Sequence, residues 1–169
     1  IKLAAGRNFE LTDNTSVVYS AGRTDGTNPL GINGGDLLIR AGGDIIGAIS
    51  DQFITAWLMR QGGFDGFDTL PLNWAVDSPN FRQNIGSFGG GKVDIAAAGN
   101  INDLSVMMPT TGKQEGQDFV VNGGGQMQVA AGGDIVGGAY FLGKGEGTIT
   151  AGGKITGDGA KQFVKGPQL

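Results

Sequence analysis

Apolar residues recur at every second position in several short stretches of this chain. Leu37/Ile39, Val93/Ile95 and Met127/Val129 each alternate with polar or small neighbours, the period-two signature of a strand buried on one face. Each stretch runs into an alanine, then small residues and glycine, then usually Asp or Asn, then another apolar residue. Leu3-Ala4-Ala5-Gly6-Arg7-Asn8-Phe9 is the first instance, and segments 39–45, 95–101, 129–135 and 149–155 repeat it. Val17-Val18-Tyr19-Ser20-Ala21-Gly22-Arg23 is a weaker version between the first two. The alanine predicts an inward position that fits only a small side chain. The glycines predict a corner that needs positive φ or close backbone approach. Asp or Asn can bond the backbone of that corner, and the next apolar residue re-enters the core on a second short strand.

Equivalent alanines fall at 5, 21, 41, 97, 131 and 151, giving steps of 16, 20, 56, 34 and 20 residues. The recurring step of 20 predicts one rung, and the longer steps predict rungs that carry excursions. One rung cannot bury its apolar face alone, but rungs stacked about 4.8 Å apart share a continuous core. The expected fold is therefore all-β, a parallel β-solenoid with a small helical, aromatic-rich excursion. Residues 1–50 and 91–169 read as rungs, and 51–90 as the excursion packed on their flank.

Within that excursion Phe53, Ile54, Trp57 and Leu58 share one helical face, with Ser50 or Asp51 as cap. Ser78 as N-cap, Pro79 at the first helical position, and Phe81 and Ile85 on one face predict a second short helix. Pro109-Thr110-Thr111-Gly112-Lys113-Gln114-Glu115-Gly116 reads as a polar surface loop. Gly143-Lys144-Gly145-Glu146-Gly147 reads as a tight turn between rungs, and the pattern is lost from Gly157 to Leu169.

Composition sharpens the picture. Of 169 residues, 34 are glycine and only 5 proline, which fits many tight corners and excludes a collagen or proline-rich tract. The chain has no cysteine and no histidine. Thiol catalysis, thiolate metal sites and the commonest general base are thereby excluded. A net charge of −4, with 12 Lys and Arg spread singly, argues against a nucleic-acid surface. No stretch approaches the ~20 apolar residues needed to cross a bilayer. The chain begins at Ile1 and reads as a piece of a longer protein.

Candidate chemistry is sparse. Asp44, Asn100 and Asp134 share the corner position with Asn8 and Lys154, so stacked rungs would pile them into a column. Corner bonding and a calcium site are both open to such a column, but Lys154 would repel a cation. Asp65 and Asp68 are the best candidates for a glycosidase-like acid pair. Gly89-Gly90-Gly91-Lys92 lacks phosphate-loop spacing. No catalytic residue, metal or cofactor is assigned. The binding candidates are Trp57, Phe64, Phe67 and Trp74, aromatics able to stack on a sugar or meet a protein, or simply to cover the rung flank.

The Ala-Gly-Gly-Asp-Ile rungs resemble the repeat region of filamentous haemagglutinin-like exoproteins of bacterial two-partner secretion. So do the 17–23 segment, Trp57-Leu58-Met59-Arg60-Gln61-Gly62, Ile85-Gly86-Ser87-Phe88-Gly89-Gly90-Gly91, and Asp103-Leu104-Ser105-Val106 followed by Pro109-Thr110-Thr111-Gly112. The resemblance implies a right-handed parallel β-helix in a large adhesin or filament shaft. It also implies export through an outer-membrane partner to the cell surface or beyond. Expected partners are neighbouring rungs or axially stacked copies, and a glycan or protein receptor on a host or neighbouring cell. A carbohydrate-active enzyme or glycan-binding module on a β-helix is the alternative. The amino-terminal secretion domain of that family is not in this sequence.

Overall fold

The computed structural model describes residues 1–25, 28–63 and 70–157, and they form an all-β structure built on parallel sheets. The chain runs repeatedly through the same order of positions. The first pass contains β1 (Lys2–Ala5), β2 (Phe9–Glu10), β3 (Val18–Ser20), β4 (Arg23–Asp25) and β5 (Asn28–Ile32). The second contains β6 (Leu37–Ala41), β7 (Ile45–Ile46), β8 (Leu58–Gly63), β9 (Leu70–Val76) and β10 (Ile85–Ser87). The third contains β11 (Lys92–Ala97), β12 (Ile101–Asn102), β13 (Val106–Met108), β14 (Thr110–Glu115) and β15 (Asp118–Gly123). The fourth contains β16 (Gly125–Ala131), β17 (Ile135–Val136) and β18 (Tyr140–Leu142), and the fifth β19 (Gly145–Ala151) and β20 (Ile155–Thr156).

Equivalent strands of successive passes lie side by side and parallel. The first sheet has the order β1-β6-β11-β16-β19, the second β2-β7-β12-β17-β20, and the third β3-β10-β13-β18. Register is unbroken along the first: Ala5 faces Ala41, Ala41 faces Ala97, Ala97 faces Ala131 and Ala131 faces Ala151. The second sheet aligns Phe9, Ile45, Ile101, Ile135 and Ile155 in the same way. Inward residues from all three sheets, among them Leu37, Ile39, Ile45, Ile85, Val93, Ile95, Ile101 and Val106, make one buried core.

Two expectations need correcting. Ala5 pairs directly with Ala41, so Ala21 is not in the alanine column. The weaker 17–23 segment instead supplies β3 of the third sheet, where Val18 faces Ile85. Its 20-residue distance from Ala41 is a coincidence, and the one uninterrupted step is from Ala131 to Ala151.

The helical excursion is not seen. Among the described residues only single 3-10 turns form, at Ile54–Ala56 and Ser78–Asn80. A 3-10 turn also sets residues i and i+3 on one side, so Ile54 and Trp57 mimic a helical face without extending it. From Leu58 the chain enters an antiparallel pair, Leu58 opposite Val76 and Arg60 opposite Trp74. Gly62, Gly63 and Pro71 in that stretch oppose continued helix. Ile85 belongs to β10 and is completely buried.

The corner is more specific than the sequence suggests. Each Asn or Asp side chain reaches along the stack to the next pass. Asn8 Oδ1 accepts from Asp44 N–H at 3.0 Å, and Asp44 Oδ1 from Asn100 N–H at 2.6 Å. Asn100 Oδ1 then accepts from Asp134 N–H at 2.8 Å, and Asp134 Oδ1 from Lys154 N–H at 2.7 Å. Lys154 has no acceptor and closes the column. The preceding glycines, Gly43, Gly99, Gly133 and Gly153, do not have positive φ. They are there for close approach: a Cβ on Gly99 would lie 2.1 Å from Asp44 Oδ1, and one on Gly133 2.3 Å from Asn100 Oδ1. Arg7 holds this position only in the first pass.

Candidate binding face

Aromatic residues divide into a buried set and an exposed set. Trp57, Phe81, Phe88 and Met107 form a second, separate core. It lies on the outer side of the third sheet, with Tyr19 and Phe141 against it. Trp57 and Phe81 meet edge to face at 5.1 Å, and Phe81 and Phe88 at 4.9 Å, geometries worth about 0.5–1.5 kcal/mol each beyond area. Both faces of the third sheet are therefore covered, and β10 and β13 are buried throughout.

Polar side chains tie the 51–84 segment to this core. Trp57 Nε1–H donates to Gln83 Oε1 at 3.1 Å, and Gln83 Nε2 donates to Gln52 O at 2.7 Å. Asn84, buried and at φ 59°, donates to Ala48 O and accepts from Ser105 N–H, both at 2.9 Å. Trp57 is thus packed and hydrogen-bonded inside the protein. As a ligand-stacking candidate it is corrected: no face of its indole reaches solvent.

The excursions of the second and third passes join. Strands β8, β9, β14 and β15 form one antiparallel sheet in the order β15-β14-β9-β8. The segment expected to be a loop is thus a hairpin, β14–β15. It turns through Gly116 at φ 63° with Gln117 in the second place, the pattern of a type II′ turn. Gly112 faces Trp74 on one side and Val121 on the other. Across strands these three residues stand in a row on one sheet face.

That face is apolar and open. Trp74 is 38% exposed, Phe119 46% and Val121 43%. With Thr110, Thr111 and Gly112 they line a depression of about 220 Å³. Gly112 is its floor, since a Cβ there would lie 2.4 Å from the Phe119 ring. On the opposite face Thr111 and Asn122 stand across from each other. Thr111 Oγ1 and Asn122 Nδ2 are both buried without a hydrogen-bond partner.

Of the four binding candidates, Trp74 is on this face and Trp57 is beneath the surface. Phe64 and Phe67 lie outside the described residues, as do Asp65 and Asp68. Phe119 and Val121 were not anticipated. The available signal was the apolar run Phe119-Val120-Val121 directly after the Glu115-Gly116-Gln117-Asp118 turn, a hairpin cue.

Elsewhere several acids are engaged. The Asp and Asn corner column is occupied by backbone N–H donors, and the described residues contain no group of three or more metal-ligating acids. On the outer side of the first sheet Asp94 bonds Arg40 at 2.8 Å and Lys92 at 3.2 Å. Burial alone would raise the Asp94 carboxyl, but those two cations outweigh it and hold it below the usual range. Glu10, Asp13 and Asp103 border a wide groove, where Asp13 is held by Thr15 N–H at 2.7 Å. No family model, curated protein or solved structure matches the chain.

Proposed function

We propose that this chain is a length of right-handed parallel β-helix from a large bacterial exoprotein of the filamentous haemagglutinin-like kind. Its role is non-enzymatic: a stiff shaft, at the cell surface or secreted, that holds out a lateral face for attachment. The observation that carries the reading is the unbroken alanine register across five passes, despite insertions between them. Inserted segments leave the stack and return without shifting it, as a shaft that displays side structures requires. The partners proposed are neighbouring rungs of a longer chain, a glycan or protein receptor, and the outer-membrane exporter of the parent chain.

A glycan-binding module on the same scaffold is the second reading, favoured by the exposed Trp74–Phe119 face. Both are tested by coating beads with the chain and measuring retention on cell layers and on a glycan array. Attachment through this face predicts that Trp74→Ala and Phe119→Ala each lower retention about ten-fold or more. Equal retention of wild type and both variants would remove the adhesive face and leave only the shaft. Release of reducing ends from a bound polysaccharide would overturn the non-enzymatic role.

A further inference from the structure

We infer that the free edge of β15 is a self-association site, at which two copies pair antiparallel about Val120 to continue the lateral sheet across a two-fold axis. Among the described residues β15 has a ladder on one side only, to β14. The β4–β5 hairpin is a separate sheet, and β5 packs against β15 without sharing its ladder. A row of unpaired backbone groups is a template for another strand, and proteins ordinarily guard it with lysine, proline or a bulge. From 118 to 122 there is no lysine or proline, and the β14–β15 register has no bulge. Instead Phe119, Val120 and Val121 are exposed on both faces of the strand.

The hairpin fixes which groups point outward. With a two-residue turn, the closing pair Glu115–Asp118 exchanges both backbone bonds, and alternate pairs follow. Asp118, Val120 and Asn122 therefore bond β14, and Phe119 and Val121 direct N–H and C=O to the open edge. A two-fold pairing must oppose outward residues with outward residues. Centring on Val120 does this: Phe119 faces Val121 of the second copy and Val121 faces its Phe119. The apolar row that starts at Trp74 and Gly112 then runs on into the partner as aromatic–β-branched pairs. Asp118 then stands opposite Asn122 rather than another Asp118, so the register sets no like charges against each other. The strand is self-complementary in chemistry as well as in hydrogen bonding, which is what an isologous interface demands.

Sedimentation equilibrium on the intact chain tests the inference. Wild type is expected to be a dimer at high concentration and to dissociate on dilution. Val120→Lys and Val120→Glu should each weaken the dimer at least about five-fold, because the two-fold axis sets the like charges opposite each other. An equimolar mixture of the two should restore association, since only this register places residue 120 against residue 120. Val121→Pro, which removes an outward N–H and no bond to β14, should also weaken the dimer. Far-ultraviolet circular dichroism and the emission of buried Trp57 report that each variant is folded. A wild type that stays monomeric to about 1 mM would overturn the inference, with β5 then the cover of this edge. So would a dimer indifferent to these substitutions, or a mixture no more associated than its components.

Discussion

The corner column makes a sharp prediction at Gly99. Its φ is not positive, so alanine there has no backbone penalty and by chain entropy alone would stabilise by about 0.4–1 kcal/mol. The column reverses that sign. A Cβ would lie 2.1 Å from Asp44 Oδ1, so the carboxylate must move by roughly 1 Å to reach an ordinary contact. That movement breaks its 2.6 Å bond to Asn100 N–H. A hydrogen bond to a charged acceptor is worth about 1.5–3 kcal/mol, and overpacking adds about 1–3. Gly99→Ala should therefore destabilise by about 2–4 kcal/mol. Asp44→Ala alone should cost about 1.5–3 kcal/mol for the same lost bond. With Asp44 truncated, however, the nearest atom to the new methyl is Gly43 C at 3.3 Å, a tight contact that asks for a shift of a few tenths of an ångström instead of a broken hydrogen bond, and the second substitution costs under about 1 kcal/mol. The double variant should lie within about 1 kcal/mol of Asp44→Ala, a departure from additivity of about 2 kcal/mol where independent sites agree within about 0.5. Urea unfolding of the four proteins, followed by tryptophan emission, gives the cycle. Additive costs, or a neutral Gly99→Ala, would refute the claim that these glycines make room for the column.

The remaining predictions address the second core and the buried polar groups. Trp57→Ala should cost about 3–5 kcal/mol and Trp74→Ala under about 1; equal urea-midpoint shifts would contradict the division into buried and exposed aromatics. Asn84→Ala removes two buried hydrogen bonds and leaves a methyl side chain at φ 59°, so a loss near 3 kcal/mol is expected, readable as a lowered Tm. Tyr140 OH is buried without a partner, and burial pushes its pKa from 10.0 up to about 12. The neutral phenol is favoured by the fold, so its stabilising effect is complete below pH 10 and is lost as pH rises through 12. Tyr140→Phe should flatten that alkaline decline and gain about 1 kcal/mol at neutral pH. Loss of stability in this variant near pH 7 would mean that the hydroxyl has a partner in solution.

The sequence by itself determined the strands of the first two sheets and the corner between them. Alternation in 37–39, 93–95 and 127–129, the inward alanine, and glycine before Asp or Asn are local requirements, repeated wherever the same corner is made. Their repetition also implied stacking, because five copies of one half-buried strand need each other to bury an apolar face. Charge and composition likewise excluded thiol and histidine chemistry without any coordinates.

Tertiary structure decided what repetition could not. The 17–23 segment looks like another corner, but β3 joins the third sheet because its neighbours in space are Ile85 and Gly86, which the chain reaches only after a long excursion. Trp57 and Trp74 sit in similar aromatic company in sequence. One is sealed beneath Phe81 and Phe88, and the other opens onto the lateral face. That face exists because Gly112 of one excursion pairs with Trp74 of another. Strand pairing depends on which segments meet edge to edge, and burial depends on what later passes lay on top. Both are properties of chain segments far apart in sequence, so no window of neighbouring residues carries them.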